Sequence, residues 1–212
     1  MRTHDLPRLD FSDGELLQAR IELTEFVTLM ADQAAARLGF GWVARPDAPN
    51  TWRALTAAWQ HSLDSGEPLP VFDGGSDTVI LTSAEANWAY RFWHDVTHLE
   101  RQRNFSSPHE LDMAVFHLWE AERHGLERGS LPWRLLHADA VGNVLHWAVR
   151  REYLIDQRTF ILNYLQFDVE TAVLAEMARG GELSPQVLPE GVDITTNAGG
   201  NATPPSHWAP LR

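Results

Sequence analysis

The chain has 212 residues, of which 44% are hydrophobic, and it contains no cysteine. This length suits one domain with a sizeable core, and the lack of cysteine excludes disulfides, thiolate nucleophiles and sulfur-ligated metal sites. All 17 basic residues are arginine, and the 29 acidic residues bring the formal charge to −12, so we expect no nucleic-acid partner.

The sequence contains no stretch of about 18 apolar residues, so it predicts no transmembrane segment. Residues 1–15 carry charges where a signal peptide needs an apolar centre. We therefore expect a soluble protein of the cytoplasm. The sequence pattern does not predict an oligomeric state.

Apolar residues at helical spacing predict an all-α fold of about six helices in one bundle-like domain. The predicted helices cover residues 13–38, 51–63, 82–101, 107–125, 132–151 and 156–181. A long loop over 66–81 is rich in proline, glycine and aspartate, and a short β-ribbon is expected at 78–81. We expect the helical domain to cover 1–182. The tail over 183–212 has five prolines and is expected to be extended or disordered.

Two histidines on the third predicted helix suggest a metal site. His94 and His98 are four residues apart, so their imidazoles project from one face of the helix. One helix uses this spacing when it donates two nitrogen ligands to a metal. Asp95, beside the first histidine, is expected to bind the metal or to orient an imidazole.

A carboxylate follows after a short turn over residues 101–106. The turn reverses the chain, and Glu110, in the first turn of the next helix, can then approach His94 and His98. A set of two histidines and one carboxylate leaves coordination positions open, as a catalytic zinc or iron site requires. An ordinary alternative is a capping box, in which Ser107 caps the helix and Glu110 supports the cap.

These residues resemble the signature of a known family. The pattern is histidine, aspartate, any two residues, histidine, any eleven residues and glutamate, and His94, Asp95, His98 and Glu110 match it. This resembles the motif of the Coq4 family of ubiquinone-biosynthesis proteins. The resemblance implies an all-helical protein in which the four residues bind a divalent metal, with a role in modifying the ring of a hydrophobic quinone precursor. The segments around Trp93 to Asp95, Phe105 to Glu110 and Asp156 to Arg158 also resemble phage and plasmid proteins, which implies no function.

Further polar residues are candidates for completing the site. Asp139, Asn143 and His146 share one face of the fifth predicted helix, where they could supply a fourth ligand or an outer hydrogen bond, although such a stripe also suits a solvated face. His117 aligns with Glu110 on the fourth helix. Its separation from Glu110 suits an outer hydrogen-bond partner of the metal ligands better than a ligand.

Three functions therefore remain open. The first is a metalloenzyme with zinc or iron, acting on a small hydrophobic or aromatic substrate in a cavity lined by groups such as Trp88, Phe92 and Trp93. The second is an HD-domain phosphohydrolase, in which His94 and Asp95 form the doublet and His61 and Asp156 bind the same metal. The third is a non-catalytic phage or plasmid accessory protein with a closed structural metal, in which Asp139 or Asp95 is the fourth ligand.

Overall fold

Helices make up most of the computed structural model, which describes residues 9–195. The elements in chain order are α1 Asp13–Leu38, β1 Trp42–Arg45, α2 Trp52–Ser65, β2 Leu69–Phe72, α3 Ala84–Arg101, α4 Ser107–Arg123, α5 Leu131–Arg150, α6 Gln157–Gln166 and α7 Val169–Arg179. The all-α prediction is confirmed. Within the described range, no helix is long and apolar enough to span a membrane.

The longest helix, α1, has the boundaries that its sequence predicts. The Ser12 hydroxyl accepts a hydrogen bond from the Glu15 amide, and the Glu15 carboxylate accepts one from the Ser12 amide. Gly39 ends the helix with a positive φ of 80°, which a residue without Cβ adopts at no steric cost. These signals are local, so they can be read directly from the sequence.

The core forms where α1 packs against α3 and α5. Phe26 of α1 meets Trp93 of α3 edge to face, with ring centroids 5.4 Å apart. Full burial of one large apolar side chain contributes about 1.5–3 kcal/mol. The side chains in this core include Leu23, Val27, Phe92, Val96, Leu135, Leu136 and Ile161.

The last predicted helix is two helices in the structure. α6 ends at Gln166, and Asp168 then caps α7 by accepting a hydrogen bond from the Thr171 amide at 2.6 Å. An aspartate cap offers the backbone an alternative to helix continuation, so the chain turns at this point. The described residues therefore contain seven α-helices instead of about six.

The structure contains a small parallel sheet at a place that the sequence did not predict. β1 pairs with β2 from Trp42 opposite Leu69 to Arg45 opposite Phe72, and α2 forms the connection between the two strands. The predicted ribbon at 78–81 is wrong, because these residues form bends. Their carbonyl groups accept hydrogen bonds from two arginines. Arg20 donates to Ile80 at 2.7 Å and to Leu81 at 3.0 Å, and Arg158 donates through its side chain to Val79 at 3.0 Å.

The start of α4 also differs from the prediction. Ser106, not Ser107, is the N-cap residue, and its side chain makes no capping hydrogen bond. Pro108 remains in the first turn, where its missing amide hydrogen costs nothing. The predicted capping box between Ser107 and Glu110 is therefore not formed, which leaves the Glu110 carboxylate available for other contacts.

Part of the predicted tail contacts the helices. The Asn163 side chain donates to the Asp193 carbonyl at 2.7 Å and accepts from the Asp193 amide at 3.1 Å, and Arg179 donates to the Thr195 carbonyl at 3.0 Å. The end of this segment, at Asp193 and Thr195, thus lies against α6 and α7, and a 3-10 turn precedes it at Pro185–Val187. The remainder of the predicted tail, 196–212, lies outside the described residues.

Candidate metal centre

The candidate centre is built by α3, α4 and the tight turn between them. α3 places Tyr90, Arg91, His94, Asp95 and His98 on one face, because these positions alternate at spacings of one and three. The turn begins at Gln102, which has a left-handed backbone with φ 53°. α4 then runs back beside α3 and presents Glu110 to the same face.

Three donor atoms converge between the two helices. His94 Nε2 lies 3.0 Å from His98 Nε2, His98 Nε2 lies 3.3 Å from Glu110 Oε2, and His94 Nε2 lies 3.4 Å from Glu110 Oε2. All three side chains are buried, and they form a group that could hold a metal ion. Bonds of about 2.0–2.1 Å around a tetrahedral ion separate its ligands by about 3.3 Å. The donor spacing therefore fits a single metal ion.

Hydrogen bonds behind the imidazoles orient both rings. His98 Nδ1 lies 2.7 Å from the Arg103 carbonyl oxygen, which only accepts, so Nδ1 carries the proton and donates it. In a neutral ring, Nε2 of His98 then has a free lone pair. This lone pair faces His94 Nε2 and a carboxylate oxygen, an arrangement of electron-rich atoms that a shared cation stabilises.

The charges of the cluster also favour a cation. Burial raises the pKa of Glu110, but hydrogen bonds from His94 and His98 outweigh this and lower it to about 2, so the group is ionised near neutral pH. Burial lowers the pKa of His98, yet the hydrogen bond and charge of Glu110 raise it overall. The pKa of His94 is lowered, mainly by burial. A buried carboxylate between two imidazoles needs a positive charge, whether a proton or a metal ion supplies it.

Asp95 does not join the donor group in the structure. The group that could hold an ion, among the described residues, consists of His94, His98 and Glu110 alone. Asp95 is partly buried in the wall of the neighbouring cleft, near Arg91. Burial is the main cause that raises the pKa of Asp95 to about 7. The metal-ligand prediction for Asp95 therefore gains no geometric support.

The predicted accessory residues lie at different distances from the centre. His117 Nε2 is 3.0 Å from His94 Nδ1, so His117 stands directly behind a candidate ligand. Asp139 is buried on α5, where its Oδ1 accepts from Gln157 and, at 3.0 Å, from Asn143. His146 packs against the Phe160 ring, with centroids 5.7 Å apart, and is not part of the donor group.

The residues required for the HD-type constellation are not brought together. His61 is exposed on α2 and contacts Glu67 at 2.9 Å. Asp156 is the N-cap of α6, where it accepts from the Thr159 amide at 2.9 Å. Neither residue belongs to the donor group of His94, so this constellation has no support in the described part of the chain.

A cleft opens beside the donor group. His94 and Glu110 form part of its wall, Arg91 and Asp95 are its other charged residues, and its remaining lining is Pro49, Phe72, Tyr90 and Phe105. An aromatic lining was predicted, but with different residues.

The tryptophans and phenylalanine predicted to line the cleft have other contacts. Phe92 stacks on Trp42 with ring centroids 5.0 Å apart, and Trp93 packs in the core. Trp88 donates its indole hydrogen to the Asp73 carbonyl at 3.2 Å. Tyr90, four residues before His94, could have been predicted from helical periodicity. Phe72 could not, because it comes from a strand that the sequence did not predict.

A second cavity also borders the cluster. Two buried polar atoms near it have no hydrogen-bond partner within the described structure, namely Glu110 Oε1 and His117 Nδ1. The wall of this cavity includes Tyr90, His94, Glu110, His117, Asp139, Asn143 and Gln157.

Comparisons with protein-family models, with curated proteins and with solved structures found no match to this chain. Function is therefore inferred mainly from the geometry of the site. The Coq4 resemblance rests on the four motif residues alone.

Proposed function

We propose that this chain is a divalent-metal-dependent enzyme that holds its metal through His94, His98 and Glu110. The observation that carries the proposal is the convergence of three buried donor atoms at 3.0–3.4 Å from one another. Nitrogen and oxygen donors without sulfur suit zinc or iron. The Coq4 resemblance, which includes the same three residues, points to the same class of metal.

An open catalytic site is favoured over a closed structural one. A structural zinc has four protein ligands, whereas a catalytic ion keeps a position for water or substrate. The donor group among the described residues has three members. Of the two predicted fourth ligands, Asp139 is engaged by Asn143 and Gln157, and Asp95 lies in the cleft wall.

The cleft supports a small aromatic or apolar substrate. His94 and Glu110 border it, so an ion held by them is accessible from the cleft. Phe72, Tyr90 and Phe105 offer apolar surface that would hold a ring and exclude water. Arg91 and Asp95 offer a donor and an acceptor for the polar substituents of such a ring.

The roles of the individual residues follow from their contacts. The metal would supply Lewis acidity. Glu110 would neutralise part of its charge, since the carboxylate is ionised near neutral pH. The Arg103 carbonyl and His117 would fix the rotations of His98 and His94, so that both Nε2 atoms point to one position.

Metal analysis of protein purified without chelators tests the proposal. We expect about one zinc or iron per chain, because a site with three protein ligands retains its ion through purification. A variant with His94→Ala and His98→Ala should retain less than about 0.2 equivalents. His61→Ala, which removes an exposed histidine outside the donor group, is the matched control and should retain the metal.

Two results would contradict the proposal. One is wild-type protein that takes up less than about 0.2 equivalents even after incubation with zinc or ferrous iron. The other is a double variant that retains as much metal as the wild type, since the bound ion would then lie elsewhere.

A further inference from the structure

The second cavity contains a buried nitrogen whose role the metal site alone does not explain. His117 is fully buried, and its Nδ1 has no hydrogen-bond partner among the described residues. The other ring nitrogen of His117 is 3.0 Å from His94 Nδ1. His117 and the buried Asp139 both line this cavity.

Metal binding at His94 would fix which ring nitrogen carries the proton in His94 and in His117. If His94 Nε2 binds the ion, the neutral ring must carry its proton on Nδ1. That proton is then donated to His117 Nε2, 3.0 Å away. His117 must therefore carry its own proton on Nδ1, the atom without a partner.

The protonated His117 Nδ1 needs an acceptor inside the protein. A buried donor without a partner is unfavourable, and water bridges such groups where a cavity is polar and large enough. The second cavity has polar groups in its wall and room for water. Asp139 is held in place by hydrogen bonds from Asn143 and Gln157 to its Oδ1, and a carboxylate can accept further hydrogen bonds.

We infer that His117 and Asp139, bridged by water in the second cavity, form a hydrogen-bonded relay that positions His94 for metal binding. This inference rests on the proposed metal site. His117 and Asp139 are positioning residues in it, because they act through His94. The relay connects the α3–α4 centre to α5, so a residue at least 29 positions from every ligand in sequence contributes to metal affinity.

Nuclear magnetic resonance of the zinc-loaded protein tests the proton positions without altering the chain. With nitrogen-15-labelled histidine, long-range proton–nitrogen spectra distinguish the two neutral tautomers of each ring. We expect His94, His98 and His117 all to be protonated on Nδ1 and His117 to be neutral. His117→Gln assigns the signal. A His117 ring protonated on Nε2 while zinc is bound would overturn the relay.

Zinc affinity, measured by competition with a chromophoric chelator, tests the energetic role. We expect His117→Phe, which removes both ring nitrogens, to weaken zinc binding about 10- to 100-fold, and His117→Gln, which keeps an acceptor for His94, to restore part of it. Asp139→Asn should cause a smaller loss, about three- to tenfold. Asp168→Asn is the control, because asparagine also caps α7 and the site is unaffected.

The double variant His117→Phe with Asp139→Asn separates a relay from two independent effects. The effects of substitutions in one hydrogen-bonded chain are not additive. The double variant should therefore bind zinc about as weakly as His117→Phe alone. Additive losses, or an Asp139→Asn affinity within about twofold of the wild type, would overturn the relay while leaving the metal site intact. Wild-type protein that binds no zinc would instead overturn the proposed function, and the relay with it.

Discussion

The Glu110 carboxylate oxygen Oε2 lies 3.3 Å from His98 Nε2, across the turn that joins α3 and α4. The sequence around Glu110 suits a helix cap equally well, yet the carboxylate faces inward and the serine caps make no side-chain bond to it. A buried carboxylate that makes no capping contact and lies against two buried imidazoles could hold a cation together with them.

Glu110→Gln should weaken metal binding more than any change behind the ligands. Glutamine preserves the shape of the side chain but removes its negative charge. In the wild type, burial raises the pKa of Glu110, but hydrogen bonds from His94 and His98 outweigh this and lower the pKa to about 2. Loss of an outer hydrogen-bond partner costs about 10- to 100-fold in affinity, so loss of a charged ligand should exceed this. Zinc competition with a chelator measures the effect. An affinity equal to that of the wild type would exclude Glu110 as a ligand.

Metal removal should lower stability without unfolding the chain. An ion that binds the folded state at about 100 times its Kd adds about 2.7 kcal/mol to the free energy of unfolding. The apolar core formed by α1, α3 and α5 does not involve the ion, so helical circular dichroism should persist after chelation. Thermal unfolding with and without chelator measures both effects. Complete loss of helix on chelation would instead indicate a closed structural site.

The variant His146→Gln should make stability less dependent on pH. Burial is the main cause that lowers the pKa of His146 from 6.5 to about 4. As pH falls through this window, the unfolded chain binds a proton that the folded chain does not, so the wild type loses stability. Glutamine does not titrate, and its variant should show a shallower loss over the same window. Chemical unfolding at several pH values measures the slopes, and equal slopes would contradict the prediction.

Gly142→Ala should destabilise the packing of α5 against α6. A Cβ at this position would lie 2.9 Å from the Phe160 ring, which is fully buried and has little room to move. We expect a loss of about 1–3 kcal/mol in the free energy of unfolding. Gly14→Ala is the matched control, because its nearest contact is at 4.0 Å and alanine favours a helix. Equal effects of the two substitutions would show that Phe160 can be displaced freely.

The sequence predicts those features that depend on residues close to one another along the chain. The caps of α1 and the inward face of α3 follow from residues three or four apart, and so does the pairing of His94 with His98. Glu110 was a weaker prediction, because the same residues allowed a capping box. Its inward orientation is decided by the buried imidazoles, which the local sequence does not reveal.

Features that depend on distant segments were not predicted. Phe72 reaches the cleft through a strand of four residues, too short for a clear alternation of polar and apolar positions. The ribbon predicted at 78–81 was wrong because the arginines that bind the carbonyl groups of this segment, Arg20 and Arg158, lie far away in sequence. The break at Asp168 was missed because an aspartate cap inside a helical pattern resembles an ordinary polar position.

The two arginines that hold segment 78–81 also bear on the order in which the chain folds. Arg20 and Arg158 reach this segment across 60 and 79 residues, so these contacts close large loops and form late. The three candidate ligands, by contrast, lie within one helical hairpin, between residues 94 and 110. Such local contacts form early. A nascent chain would thus have its ligands together before α6 arrives, and an ion captured then would stabilise the hairpin on which later segments assemble.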